Sequence, residues 1–406
     1  MSTEYEHLTV DTVAAYVAAN DVLTAAIDPT AIVKVEEVGD GNLNLVFILR
    51  DSAGRGLVLK QALPYVRLVG RSWPMTPERA RIEAETTIAH RRLDPSHLPR
   101  IHLFDPERYV IAMEDLSDHV VWRTALNRSE RQDGVAEDLG IYVANVAFGT
   151  SVFGMDAEGE KLAVGRAINP ELCRITEDLV FTEPYVDAGR NRVLPANEPD
   201  ARELANDAEM VRQMGWAKWQ FMTQAEALIH GDLHTGSVMV RGDAASRSTK
   251  VIDSEFSFYG PVGFDLGALW ANYVIAAARA CALGDSDRAA WCLSLLAGTW
   301  DAFEAEFRRI WPQRRDPRVF TDRTLEDYLA KVRLDTAGFA AAKAARRIVG
   351  LAKASDIETL DEGRREGAAR GVLLAARMLA TVRHSSSDPV QLAARVGDLL
   401  DSNRTR

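Results

Sequence analysis

Two acidic runs carry the chemistry that this sequence offers. Asp232 stands within His230-Gly231-Asp232-Leu233-His234-Thr235-Gly236-Ser237, and Asp253 and Glu255 close the run Lys250-Val251-Ile252-Asp253-Ser254-Glu255-Phe256. A carboxylate in a tight turn can accept the proton of a hydroxyl, and acidic residues at a strand end can hold a divalent cation. Ala227-Leu228-Ile229 leads into the first run and β-branched Val238-Met239-Val240 leaves it, which places Asp232 between short elements. Arg241 to Ser248 is polar and contains Gly242, as a hairpin loop should. The order of turn carboxylate, hairpin and acidic strand end is the layout of phosphoryl transfer, with Mg²⁺ bridging the nucleotide phosphates. Ser237 stands where protein kinases place a metal-facing Asn. Three carboxylates brought toward one spot repel one another unless cations bind.

Such chemistry needs a platform for the polyphosphate, and the N-terminal third supplies one. Strands are predicted at Ile32–Val35, Leu45–Leu49 and Leu57–Lys60, the last two joined by the turn Asp51-Ser52-Ala53-Gly54-Arg55-Gly56. The first two flank Val38-Gly39-Asp40-Gly41-Asn42-Leu43-Asn44, where Gly39 and Gly41 let backbone N–H groups approach phosphate without Cβ interference. This is not GxGxxG and follows no βα unit, so a dinucleotide site is a poor reading. Lys60 ends the third strand, where a kinase keeps the lysine that neutralises phosphates. A helix over Pro77–Leu93 carries Arg79, Arg81, Glu83 and Glu85, and Glu83, with Glu85 in reserve, is the glutamate expected to orient Lys60. Between them, Gln61 to Pro74 is too long for a simple connector, and Trp73 suggests a lid. Arg100–Phe104 and Tyr109–Met113 read as two more strands leading to Glu114-Asp115-Leu116, a hinge whose backbone would meet adenine.

Beyond Leu116 strand signals nearly vanish. The expected fold is α+β and bilobal, like a protein kinase: a small N-terminal lobe (1–116) with an antiparallel sheet, and a larger, mainly helical C-terminal lobe (117–406). Helices are predicted at Leu8–Asn20 with Thr9 as cap, Gly134–Phe148, Asp207–Leu228 and Phe339–Lys353. Leu296, Trp300, Phe303, Phe307 and Ile310 form a buried helical stripe. Asp265, at a helix start, either caps that helix or braces the catalytic turn.

Composition narrows the class. The 406 residues are 47% hydrophobic and 26% charged, with a formal net charge of −11, which argues against a nucleic-acid or anionic-membrane partner. Cys173, Cys281 and Cys292 form no CxxC pair, which suits a reducing cytosol and excludes a cysteine zinc cluster. The polar, acidic start is no signal peptide, and no apolar run approaches the roughly 20 residues of a membrane helix. The expectation is a cytoplasmic protein.

The assembled runs resemble the 5-methylthioribose kinases. The resemblance rests on Val38–Asn44, Gly70–Pro74, Arg79–Glu83, His230–Ser237, Ile252–Pro261 and the adjacent pair Arg346-Arg347, in order along most of the chain. The HGD and IDxE elements belong to the wider aminoglycoside-phosphotransferase and choline-kinase-like group. The resemblance implies ATP-dependent phosphorylation of the 1-hydroxyl of 5-methylthioribose, giving the 1-phosphate in methionine salvage, by a homodimer. It implies Asp232 as base, in contact with the sugar, and Asp253 and Glu255 as Mg²⁺ ligands. Gly39, Asp40, Gly41, Asn44, Lys60, Glu83 and the hinge Glu114 to Leu116 go to ATP; Arg346, Arg347, Asn42, Trp73 and His234 go to the substrate side. It reverses the plain reading of Arg346 and Arg347 as surface arginines. Ser254 stands where the family's acidic motif has Pro, which leaves the ligands in place and loosens the turn. Another kinase of this fold, acting on an aminoglycoside, choline or homoserine, is the nearest rival, and a silent nucleotide-binding scaffold is the remoter one.

Overall fold

The structure, a computed structural model, describes residues 5–39, 43–66, 70–186, 188–242, 246–382 and 385–404. Asp40, Gly41 and Asn42 lie outside them. The chain forms two compact units: residues 1–119 with 250–257, and residues 120–249 with 258–406.

The first unit opens with α1 (Val13–Ala18) and α2 (Asp21–Thr24), then builds its sheet from β1 (Ile32–Glu37), β2 (Asn44–Asp51) and β3 (Gly56–Ala62). A small hairpin of β4 (Tyr65–Val66) and β5 (Gly70–Pro74) follows, then α3 (Arg79–Leu93), β6 (Ile101–Asp105) and β7 (Val110–Glu114). The five-stranded sheet runs β1-β2-β3-β7-β6, all pairings antiparallel. Successive side chains point to opposite faces of a strand. Thus Leu57 and Leu59 join Phe47, Leu49 and Val110 under Val13, Tyr16 and Val17 of α1. Val58 and Ala62 face Ala80 and Ala84 of α3, and Lys60 shares that face.

The helix expected over Leu8–Asn20 is shorter. Thr9 N donates to Thr12 Oγ1 at 2.9 Å and Thr12 Oγ1 to Thr9 O at 3.3 Å, local bonds that hold the chain in a turn until Val13. Thr9 is therefore not the cap; Thr12 occupies that position.

The second unit begins with β8 (Val120–Val121), followed by α4 (Trp122–Asn127), α5 (Val135–Thr150), α6 (Ala157–Arg166), α7 (Pro170–Phe181), α8 (Glu198–Asn206) and α9 (Ala208–Thr223). Four short strands come next, β9 (Ala227–Ile229), β10 (Val238–Arg241), β11 (Ser248–Val251), whose last two residues belong to the first unit, and β12 (Phe258–Gly260). The rest is helical: α10 (Gly263–Ala282), α11 (Ser286–Ile310), α12 (Asp322–Val349), α13 (Ser355–Glu358), α14 (Glu362–Val382) and α15 (Pro389–Asn403). The stripe from Leu296 to Ile310 is buried on α11, as its spacing predicts. Gly267 lets α10 lie on α12, since a Cβ there would meet Ala340 N at 2.8 Å. The helix expected over Asp207–Leu228 stops at Thr223, and Ala227–Ile229 is instead a strand paired with β12. A short buried strand continues an apolar run that periodicity alone cannot divide. The antiparallel N-terminal sheet and helical remainder are the architecture expected from the sequence. Among the described residues no helix is long and apolar enough to cross a membrane.

Candidate active site

In the first unit, α3 presents polar residues at every fourth position, Arg79, Glu83 and Thr87, all buried on one face. Each engages a residue of the expected nucleotide and metal motifs. Of the two candidate glutamates, Glu83 meets Lys60, Oε1 to Nζ at 2.8 Å, while Glu85 pairs with Arg81. Lys60 Nζ also lies 2.6 Å from Asp253 Oδ1. Thr87 Oγ1 and Ser254 Oγ are 3.2 Å apart, so the serine in the acidic motif is tied to α3. Asp253 itself, two residues beyond β11, adopts a left-handed backbone, φ 64°.

Arg79 was not singled out by the sequence, yet its wholly buried guanidinium organises this cluster. Nη1 donates to Leu63 O (2.8 Å) and Thr76 O (2.7 Å), and Nη2 to Leu43 O (2.8 Å) and Asn44 Oδ1 (3.1 Å). Nε faces Glu255 Oε2 at 3.2 Å, an ion pair with imperfect hydrogen-bond alignment. Asn44 Nδ2 donates to the same Glu255 oxygen at 3.1 Å. The Asn44 side chain thus bridges Arg79 and Glu255 inside the unit.

Burial works against the charge on Lys60, but Asp253, Glu83 and Glu255 outweigh it and keep the ammonium protonated far into alkali. Glu83 is pushed up to about 7 by burial, with Asp253 and Glu255 acting in the same direction against Lys60. The two partners pull apart because three carboxylates share two cations; the surplus negative charge falls on Glu83, the most buried of the three. A Mg²⁺ that also takes phosphate oxygens and water needs only one or two protein carboxylates. Asp253, whose side chain is 46% exposed, fits that donor set. Glu255 is more committed, through Arg79 and Asn44. Among the described residues no three His, Cys, Asp or Glu side chains form a metal cage.

The remaining first-unit residues are placed as follows. Gly39 lies in a turn with open space where a Cβ would point. Trp73 is half-buried on β5. Glu114 Oε2 accepts from Arg100 N at 2.9 Å, Asp115 pairs with Arg50 at 2.9 Å, and Leu116 is buried.

In the second unit, Asp232 sits in the turn after β9, where Gly231 takes φ 82°. Asp265, in the first turn of α10, braces that turn: Oδ2 accepts from His230 N at 2.7 Å and Oδ1 from Gly231 N at 3.0 Å. It does not serve as the cap of α10. Ser237 Oγ donates to Asp232 O at 3.1 Å. His234 Nδ1 accepts from Gly236 N at 3.1 Å, which assigns the imidazole proton to Nε2, 3.4 Å from Asp232 Oδ2. Burial, together with Arg123 and Arg347, keeps that imidazole neutral despite Asp232.

Lys343 of α12, which the sequence reading passed over, lies 2.7 Å from Asp232 Oδ1 through Nζ. Burial opposes ionisation of Asp232, but Lys343, Arg346 and Arg347 prevail and hold the carboxyl well below the usual range. Arg347 is buried and Arg346 partly so; both lie on α12 and both act on Asp232. Arg123 Nη2 donates to Asn272 Oδ1 at 2.7 Å and its Nε lies 3.3 Å from Asp356 Oδ2. Thr235 Oγ1 donates to the same Asn272 oxygen at 3.1 Å, fixing the far side of the turn. Four cations, Arg123, Lys343, Arg346 and Arg347, here face three carboxylates, Asp232, Asp265 and Asp356. The structure therefore groups Asp232, His234, Arg346 and Arg347 in one unit and Asn44, Lys60, Glu83, Asp253 and Glu255 in the other.

The signals that would have found the missed residues are local. Arg79, Glu83 and Thr87 recur at helical spacing, and Lys343 is a lone charge in an alanine run, on the turn before Arg346-Arg347.

Comparison with known proteins agrees with this chemistry. The model of a phosphotransferase enzyme family matches residues 34–305. Methylthioribose kinase of Yersinia pseudotuberculosis is 40% identical over 380 residues, 91% of either chain. That of Pectobacterium atrosepticum is 41% identical over 379 residues, covering 91% of this chain and 93% of its own. Among solved structures, a glucosamine kinase in complex with glucosamine, ADP and inorganic phosphate is 14% identical, with a TM-score of 0.49 over 98% of this chain and 88% of the other. The chain belongs to the phosphotransferase enzyme family and, within it, to the methylthioribose kinases.

Proposed function

We propose that this kinase transfers the γ-phosphoryl group of ATP to the 1-hydroxyl of 5-methylthioribose, within methionine salvage. The observation that carries the acceptor chemistry is Asp232 held as a carboxylate among Lys343, Arg346 and Arg347. A hydroxyl nucleophile needs an acceptor for its proton, and the phosphorylated product needs cations. The 40% identity over 91% of the chain supplies the sugar. An aminoglycoside or choline site would meet a cationic substrate with carboxylates or aromatic faces. The arginine and lysine excess around Asp232 favours a neutral sugar instead.

In this reading the first unit's cluster serves the nucleotide and the second unit's serves the acceptor. Lys60, oriented by Glu83, neutralises phosphate charge. Asp253 and Glu255 hold Mg²⁺, which when bound supplies further charge neutralisation on the phosphates. Arg79 fixes Asn44 and Glu255, and through the Leu43 carbonyl it fixes the exit of the glycine turn. Asp232 orients the acceptor hydroxyl and takes its proton late, since phosphoryl transfer asks for positioning and charge neutralisation above all. Gly39, Asp40 and Gly41, with the backbone of Glu114 to Leu116, are assigned to ATP; Asn42, Trp73, His234, Arg346 and Arg347 are assigned to the acceptor side. A cytoplasmic homodimer belongs to the same proposal.

The test is ADP release from Mg-ATP with methylthioribose, ribose, choline, homoserine and kanamycin, with the product phosphate located by ³¹P NMR. Release with methylthioribose and phosphate on C1 is expected; release only with choline or kanamycin would discard the substrate. Asp232→Asn should bind Mg-ATP normally and lose turnover by about 10³-fold, within the range for acid–base groups. Wild-type turnover in that variant would remove Asp232 as the base.

A further inference from the structure

Lys343 is a buried cation for which the reading above gives no task beyond charge. The residue is 4% exposed, it rises from the alanine-rich stretch of α12, and its ammonium lies 4.4 Å from the centre of the Phe264 ring on α10. The ring face and the carboxylate fix Nζ from two sides. The groups that act on it come from three elements. From its own helix these are Arg346 and Arg347, from the catalytic turn Asp232, and from α10 Asp265. The neutral His234 of the turn, which faces Asp232, and the charged Arg123 of α4, which acts on the two arginines, complete the set of titratable groups.

We propose that Lys343 is the positioning residue of the catalytic carboxylate: as an ammonium it holds Asp232 Oδ1, so that Oδ2 is the oxygen that takes the acceptor's proton. This rests on Asp232 being the base. Two distances support it. Oδ1 is bound at 2.7 Å by a full positive charge, whereas Oδ2 faces the neutral His234 at 3.4 Å, beyond a good hydrogen bond. An unrestrained Asp carboxylate rotates about χ2, exchanging its oxygens and blurring the angle at which it meets a hydroxyl. A lysine on one oxygen removes that freedom. In the transfer the acceptor O–H bond breaks towards Asp232 Oδ2 as the acceptor oxygen bonds to the γ-phosphorus. The bond from that phosphorus to the bridging oxygen breaks, and ADP leaves with the electron pair. The carboxylic acid then returns its proton to solvent, while Lys343 keeps its own throughout.

That last condition gives the test. Burial, and Arg346 and Arg347 beside it, bring Lys343 down to about 8 in spite of Asp232. Activity that requires the ammonium is lost as pH rises through that value. Wild type should therefore show kcat/KM for the sugar falling above pH about 8. Lys343→Arg, charged at every working pH, should carry that alkaline limb upward by at least about one unit. Lys343→Met should lower kcat by roughly 30-fold or more and leave the KM for ATP within about twofold, the pattern of an interaction needed for the step rather than for nucleotide binding. Its acid limb should move up by about 1 unit, the usual effect of an opposite charge on a carboxylate. A role in packing alone moves neither limb.

The Asp232 carboxyl carbon can also be titrated by ¹³C NMR, assigned by its loss in Asp232→Asn, without any acceptor. If Lys343→Met fails to fold, Lys343→Arg against wild type decides on the alkaline limb alone. Should no acceptor support turnover, the functional reading fails by itself, and the carbon titration still judges Lys343. Unmoved limbs with kcat within about threefold of wild type, or an Asp232 titration unchanged by loss of the lysine, would overturn the proposal.

Discussion

Replacing Arg79 with Met should unfasten the first unit and its nucleotide cluster together. The guanidinium is wholly buried and serves three backbone carbonyls, the Asn44 amide oxygen and the Glu255 carboxylate. Methionine fills much of the volume and none of the hydrogen bonds. Breaking one side of a buried ion pair costs about 3–5 kcal/mol, and each buried acceptor left behind about 1–3 kcal/mol. These do not add, because water enters and the β3–β5 connection relaxes, so at least about 4 kcal/mol is the reasonable figure. A domain has about 5–15 kcal/mol in all. Hydrogen exchange followed by mass spectrometry separates the units. Protection over 43–63 and 79–93 should fall by that amount, while α10 and α12 in the second unit keep theirs. Adding Glu255→Gln to Arg79→Met neutralises the carboxylate that has lost its cation and should restore about 1–2 kcal/mol, a coupling that a double-mutant cycle measures. Exchange and urea midpoint within about 1 kcal/mol of wild type for Arg79→Met, or strictly additive single changes, would refute the reasoning.

On the proposed role of Lys60, Lys60→Met should lower kcat by about 10²-fold or more, since it removes a fixed charge meant for phosphate. Glu83→Gln should have a smaller effect, because Asp253 still holds Lys60 at 2.6 Å; steady-state kinetics on the two variants checks the order. Asp265→Asn retains the shape but offers the His230 and Gly231 N–H groups one neutral oxygen and an NH₂. It should cost about 1–3 kcal/mol and loosen the turn, read as faster exchange at those two amides and at least a tenfold fall in kcat.

The parts of this fold that repeat with a short period were open to inspection in the sequence. Along β3 side chains point alternately to the two faces, which puts Lys60 on the face of α3, away from Leu57 and Leu59. Helix ends were less legible. Thr9 looks like the cap in a linear reading, but it bonds to Thr12, which takes the cap position and delays the helix to Val13. At the other boundary, the apolar Ala227–Ile229 continues the pattern of α9 while belonging to a strand. Least legible were residues whose reason for being charged is a partner far along the chain. Arg79 has no assigned task in the linear sequence until Leu43, Leu63 and Glu255 are seen around it. Lys343 has no visible purpose until Asp232, more than a hundred residues earlier, is found against it.

Net charge is a poor guide to either cluster, and the contrast between them says why. The chain carries −11 overall, yet the surroundings of Asp232 hold four cations against three carboxylates. The cluster around Lys60 has the reverse balance, three carboxylates against Lys60 and Arg79. Interactions at 3 to 4 Å inside a protein exceed those of charges spread over a surface and screened by salt beyond about 8 Å. Each cluster is therefore left with a residual charge that its own members cannot cancel, negative in the first unit and positive in the second. A negative residue of charge calls for a metal cation, and a positive one calls for phosphate. An enzyme that brings Mg-ATP and releases a sugar phosphate supplies both, so the imbalance that weakens the empty protein is the one its ligands relieve. On that argument nucleotide with Mg²⁺ should stabilise the first unit, and inorganic phosphate or a sugar phosphate the second. Exchange protection that rose in neither unit with its own ligand would separate the charge pattern from the chemistry assigned to it.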